Sequence, residues 1–160
     1  MLQGTWQFMS ALLLQEPDKV HTIVDDLESV FWVLVYGALR RFAEPDQYLP
    51  MELFDEVKYD RAGRRLGGTT KQVYVICGNL LRLKFSARPL QKLVHECNEC
   101  WSEYHMGILP RREKERTERQ RSMLVSAPEP AFWLEKFASV LQDEALWQEE
   151  CNIGDRKSVV

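Results

Sequence analysis

The 160 residues suffice for one domain, and a hydrophobic content of 45% with 11% aromatic residues supports a real core and excludes a disordered chain. A formal net charge of -3, with an isoelectric point of about 5.7, gives the whole molecule no electrostatic reason to seek nucleic acid or an anionic membrane surface. The four cysteines, Cys77, Cys97, Cys100 and Cys151, read as reduced thiols without a secretory signal, so the expectation is an intracellular protein, cytoplasmic or nuclear and not secreted.

Met1 runs directly into Leu2, Gln3 and Gly4, with no basic stretch ahead of an apolar run. Gly4 and Thr5 open a turn, a short helix signal comes next, and Thr22 to Phe42 carries the clearest helix. Asp25 is placed to cap it, with Glu28 three residues on as the capping-box partner. Leu27, Val30, Phe31, Trp32, Val33, Leu34, Val35 and Leu39 spread apolar side chains all the way round. A helix of that composition is expected to be buried on every side and to organise the fold. Its apolar run from Val30 to Leu39 ends in Arg40 and Arg41 after about ten residues, against the roughly 20 that a bilayer needs, so it reads as a core helix.

Pro45, Asp46 and Pro50 mark a loop from Ala43 to Pro50, and Met51, Leu53, Phe54 and Val57 suggest a short helix. Tyr59 to Gly68, rich in glycine and arginine, reads as an exposed loop, with Thr69 or Thr70 capping another helix after it. Lys71 to Phe85 is mixed, because Val73, Val75 and Ile76 favour a strand while Leu80, Leu81, Leu83 and Phe85 fit both periods; helix is the preferred reading. Pro89 to Tyr104 is an amphipathic helix, with Leu90, Leu93, Val94, Cys97 and Trp101 at steps of three and four and Pro89 in the first turn. Arg111 to Arg121 interleaves arginine and lysine with Glu113, Glu115 and Glu118, and is solvated as a loop or frayed helix within a polar loop spanning 107–127. After Pro128 and Pro130, Phe132, Trp133, Phe137, Val140 and Leu141 form a last amphipathic helix, and 149–160 is expected to be a flexible tail. The sum is a mainly α fold in one domain, residues 1–148.

Two clusters invite a chemical reading. His95, Cys97 and Cys100 with nearby His105 could supply four zinc ligands, but one Cys-x-x-Cys lacks a second pair and Cys97 falls on the apolar stripe of its helix, so no metal site is expected. In Arg111 to Arg121 the glutamates cancel half the basic charge and no aromatic residue offers a stacking surface, so no nucleic-acid site is expected.

The most distinctive sequence is Gly-Thr-Trp-Gln-Phe-Met-Ser at 4–10 followed by Asp-Asp-Leu-Glu-Ser at 25–29. Together they resemble the segment of serine/threonine protein kinases that runs from the substrate-binding loop into the central helix of the C-terminal lobe. Extended to GTWQFMSALLL and DDLESVFWVL, they most resemble the fungal-type protein kinase family, closely over Gly4 to Phe42 and more loosely beyond. The resemblance implies the helical C-terminal lobe of a protein kinase-like fold, incomplete. It implies that Gly4 and Thr5 position the substrate, Thr5 by bridging to a catalytic aspartate and lysine. Asp26 would anchor the catalytic loop by accepting its backbone N–H groups; the plainer alternative is helix capping by Asp25 and Asp26. Where many kinases end this segment in Ala-Pro-Glu, Ser10, Ala11 and Leu12 stand here, so the ion pair made by that glutamate cannot form; casein-kinase-like members also lack it.

No glycine-rich phosphate loop, Val-Ala-Ile-Lys lysine, His-Arg-Asp loop or Asp-Phe-Gly metal site occurs in the 160 residues. Catalytic and cofactor-binding residues are therefore expected to be none, with ATP and Mg implied only for a full-length family member. The expected function is a substrate-side scaffold, inactive alone, whose partner is the missing N-terminal lobe or another protein. The alternative is a non-catalytic helical interaction module, a pseudokinase remnant with Trp6, Trp32, Trp101, Trp133 and Trp147 as anchors. Met1 just before the motif leads to the expectation of a truncated gene model, beside a separately expressed remnant.

Overall fold

A computed structural model of the chain describes residues 5–108 and 130–142. The fold is mainly helical. A 3-10 turn at Trp6–Phe8 leads into α1 (Ala11–Gln15) and α2 (Ile23–Arg41); α3 (Glu52–Asp55) precedes a minimal hairpin of β1 (Lys58–Tyr59) and β2 (Arg65–Leu66). Then come α4 (Thr69–Ile76), a second 3-10 turn at Asn79–Arg82, α5 (Arg88–Ile108) and α6 (Pro130–Leu141). α5 packs against α2, α4 and α6, and the first turn sits on α2 and α3.

α2 begins differently from the expectation. Thr22 is its N-cap and Asp25 the capping-box residue, with the Thr22 N–H donating 2.8 Å to Asp25 Oδ2 and Asp25 N–H donating 3.0 Å to the Thr22 carbonyl. Glu28 takes no part in the cap; its carboxylate turns inward to a different set of donors. Arg40 and Arg41 fall in the last turn, where the helix dipole favours cations. The helix is also not buried all round. Phe31, Trp32, Val35, Ala38 and Leu39 face the core, whereas Ile23, Val30 and Val33 are 58%, 54% and 52% exposed. All the described neighbours of α2 lie on one side, so apolar composition alone did not guarantee cover for the other.

The core is aromatic. Trp101 of α5 stacks on Trp133 of α6 with ring centroids 5.3 Å apart, Phe31 leans on Trp32, Trp101 and Trp133, and Phe54 closes on Trp32 edge-to-face.

Residues 58–66 form a hairpin where a loop was expected over 59–68. β1 and β2 pair antiparallel, Lys58 opposite Leu66 and Tyr59 opposite Arg65. Asp60 closes the turn by accepting the Ala62 and Arg64 N–H groups, both at 2.8 Å. Strands this short leave no periodicity to detect. The end of the stretch is buried, not exposed: Gly68 has φ +78 and lies against α1 so closely that a Cβ would meet the Ala11 carbonyl oxygen at 2.4 Å. Gly68, in place of Thr69 or Thr70, is the residue before the first turn of α4.

The helix read over Lys71 to Phe85 is realised only to Ile76. Gly78, with φ 64, breaks it, and the chain continues through the 3-10 turn to a single bridge between Phe85 and Ala43. α5 runs through Ile108, so residues 107 and 108, expected in a polar loop, belong to that helix. The rest of that loop, including Arg111 to Arg121, and the tail at 149–160 lie outside the described residues, as do Gly4, Trp147 and Cys151. No described helix is long and apolar enough to cross a membrane. Cys77, Cys97 and Cys100 are free thiols.

Candidate functional site

The segment from Thr5 to Ala11 is short of regular structure and therefore rich in backbone groups needing partners. Thr5 is exposed; its carbonyl accepts the Phe8 N–H at 2.9 Å, and its hydroxyl has no partner among the described residues. Trp6 donates its indole N–H to the Glu56 carbonyl at 3.2 Å, while the Arg65 guanidinium lies 3.9 Å above its ring. Phe8 packs edge-to-face on Tyr36 and Phe54.

From Gln7 onward the segment is held by buried charge. Lys71 of α4, wholly buried, donates to the Gln7 carbonyl at 2.8 Å and the Met9 carbonyl at 2.7 Å. Its ammonium also lies 5.1 Å from the centre of the Trp32 ring. Ser10 caps α1, its Oγ accepting the Leu13 N–H at 3.2 Å and donating to Asp25 Oδ1 at 2.7 Å. One residue on, the Ala11 N–H donates 2.9 Å to Glu28 Oε1. The same oxygen accepts the Trp32 indole N–H at 2.9 Å and has His105 Nε2 at 3.3 Å. Gln72 Nε2 approaches the other ring nitrogen, Nδ1, at 3.5 Å.

The charges respond to this packing. Burial drives the Lys71 ammonium down to about 7, against the pull of Glu28 and Glu56. Burial pushes the Glu28 carboxyl up, but His105, the Ala11 N–H and the Trp32 N–H together outweigh it and hold the group below the usual range. Asp25 is likewise held low, since hydrogen bonds from Lys19, Ser10 and Thr22 overcome its burial. Two carboxylates and one ammonium thus sit around one backbone segment, each satisfied.

The residues singled out by resemblance stand apart from this cluster. Gly4 lies outside the described residues. Thr5 is at the surface, and Asp26 is exposed and pairs with His21 Nε2 at 2.9 Å. The buried acids at the start of α2 are its neighbours Asp25 and Glu28. Both were visible as acidic residues at a helix start, where capping absorbs the signal. Lys71 gave one usable hint: it lies four residues before buried Val75, on the inward face of α4.

The histidines and cysteines of α5 do not converge. His95 contacts Gln91, Cys97 is buried with its thiol pushed strongly up by burial, and His105 faces Glu28. No group of three or more histidine, cysteine, aspartate or glutamate side chains among the described residues is arranged to hold a metal ion.

The family model for fungal protein kinase matches residues 1–37 of the chain. The match takes in Ser10, Asp25, Asp26 and Glu28 and stops short of Lys71 and His105. No curated protein and no solved structure matches.

Proposed function

We propose that this chain is the substrate-side scaffold of a fungal-type serine/threonine protein kinase, a portion of its helical C-terminal lobe. The carrying observation is that the stretch matched by the fungal protein kinase family contains both the segment at Ser10–Ala11 and the two α2 carboxylates that seat it. Ser10 is seated on Asp25 and Ala11 on Glu28 at the start of α2, and Thr5 stands at the surface with no partner for its hydroxyl among the described residues. On this reading Thr5 orients a substrate hydroxyl, and exposed Asp26 is available to accept N–H bonds from a catalytic loop that these residues do not supply. Ile23, Val30 and Val33 would face the same absent part of the lobe. Leu12 stands where a glutamate would make an ion pair in many kinases, and buried polar contacts from α2 and α4 hold the segment instead.

Phosphoryl transfer needs nucleotide and Mg held by groups that these residues lack, so the chain by itself is a scaffold and not a catalyst. Its partner is then the remainder of the kinase, with neither nucleic acid nor a membrane required. The test is the transcript upstream of Met1: an in-frame His-x-Asp and Asp-Phe-Gly pair supports the reading, and stop codons ahead of a transcript that starts at Met1 remove the active-kinase form of it. The purified chain should show no rise in Tm with ATP and Mg, because ligand stabilisation requires a site; a concentration-dependent rise overturns the scaffold assignment.

The exposed Ile23, Val30 and Val33 also favour a second reading, a non-catalytic helical interaction module. One stoichiometric partner that carries no kinase segment would select it.

A further inference from the structure

Lys71 is a costly residue in its position. An ammonium taken wholly out of water loses its hydration, and a methionine or leucine would fill the space beside Trp32 and Phe54 without that penalty. What no apolar side chain could do is donate to the carbonyls of Gln7 and Met9. Across from it, α2 offers the opposite chemistry: Asp25 Oδ1 accepts from the Ser10 hydroxyl and Glu28 Oε1 from the Ala11 N–H. Capping of α2 uses the other oxygen of Asp25, so the bond to Ser10 is not a by-product of the cap. Lysine N–H donors on the Gln7 and Met9 carbonyls and carboxylates on the Ser10 O–H and Ala11 N–H oppose a flip of the peptides they hold, since a flip would set a carbonyl against a carboxylate or an N–H against an N–H donor.

We propose that Lys71, acting with Asp25 and Glu28, is a positioning clamp that fixes the path of Gln7–Ala11 and so presents Thr5 at the surface in a single geometry. The clamp deepens the kinase reading and rests on it for its purpose, because on that reading this segment seats a hydroxyl-bearing peptide; the clamp itself stands on the contacts alone. Lys71 would touch neither substrate nor nucleotide, and would work through the backbone it holds.

Native-state hydrogen exchange on the full chain tests it. With Lys71→Met, the amides of Met9, Ala11 and Leu13 should exchange at least about tenfold faster while those of α5 change by less than about threefold. Equal acceleration in both sets, or no acceleration at 9–13, overturns the clamp. Lys71→Arg, which keeps a cation with N–H donors, should bring Met9 back to within about threefold of the natural chain; a folded Arg variant that fails to do so also overturns it. If Lys71→Met does not fold, Ser10→Ala removes one arm only and must give the same local pattern at about three- to tenfold, and a uniform pattern counts against the proposal. The transcript and nucleotide measurements do not enter the exchange pattern, so failure of the kinase reading and failure of the clamp are separate results.

Discussion

Replacing Lys71 by methionine should change the shape of stability against pH, not merely its height. The Lys71 ammonium is held at about 7 in the native chain against 10.5 for an ordinary lysine. Between these values the unfolded chain keeps the proton and the native chain has given it up, so the unfolded state binds more protons and native stability rises with pH. Below pH 7 both states are protonated and the contribution is flat. Integrated from pH 6 to pH 9, the gain is about 2 to 3 kcal/mol, with a limiting slope of ~1.4 kcal/mol per pH unit. Methionine removes that slope. It also strips the Gln7 and Met9 carbonyls of their donor, at about 1–3 kcal/mol each, while relieving the desolvation of a buried charge, so the two effects oppose one another at low pH. From pH 6 to pH 9 the variant should therefore lose about 2 to 3 kcal/mol relative to the natural chain. Urea denaturation followed by tryptophan fluorescence at pH 6, 7, 8 and 9 measures both curves, and other titrating groups cancel in the difference. Parallel curves would refute the reasoning, since they would mean that Lys71 releases its proton equally in the folded and unfolded chains.

Glu28→Ala should cost about 3–5 kcal/mol, because it strands the Ala11 and Trp32 N–H groups in a dry site and leaves Lys71 less compensated, whereas Glu28→Gln keeps an acceptor and should cost less than half as much in the same urea assay. The two glycines at helices should behave in opposite ways. Gly68→Ala drives a Cβ into the Ala11 carbonyl at positive φ and should destabilise by about 2 kcal/mol or more, while Gly37→Ala, with nothing within 4 Å of the added Cβ, should stabilise α2 by about 0.5–1 kcal/mol, both read from thermal or urea midpoints. Asp25 and Glu28 have carboxyls held below their usual range, so their contribution is present above the ordinary carboxylate pKa and is lost as pH falls through the native values. Asp25→Asn should flatten the acid limb of the stability curve, and an unchanged acid limb would count against the hydrogen bonds from Lys19, Ser10 and Thr22.

The long helices were legible because repetition makes them so. α5 repeats Leu90, Leu93, Val94, Cys97 and Trp101 at helical steps, α6 does the same with Phe132, Trp133, Phe137 and Val140, and in both the apolar face is the packed face. α2 was legible as a helix but not as an environment, since the apolarity of Ile23, Val30 and Val33 states a preference for burial and not the presence of a neighbour. Its cap was misassigned because Asp25, Asp26 and Glu28 all suit a helix start. The choice among them was made by Ser10, Ala11 and His105, which arrive from elsewhere in the chain. The hairpin escaped because two-residue strands have no period. Lys71 escaped because its helical step to Val75 hints at a face and not at a partner: the carbonyls of Gln7 and Met9 that it binds lie 64 and 62 residues away.

Glu28 Oε1 has consequences for how the chain comes together. The groups around that single oxygen come from α1, from α2 itself and from the far half of α5, at residues 11, 32 and 105. No one element supplies them, so the carboxylate has all its neighbours only when α1 and the far half of α5 are both docked on α2. The same carboxylate thereby couples the docking of α1 and of α5 on α2, and a chain cut ahead of His105 would keep a buried acid near the start of α2 with one of its neighbours gone.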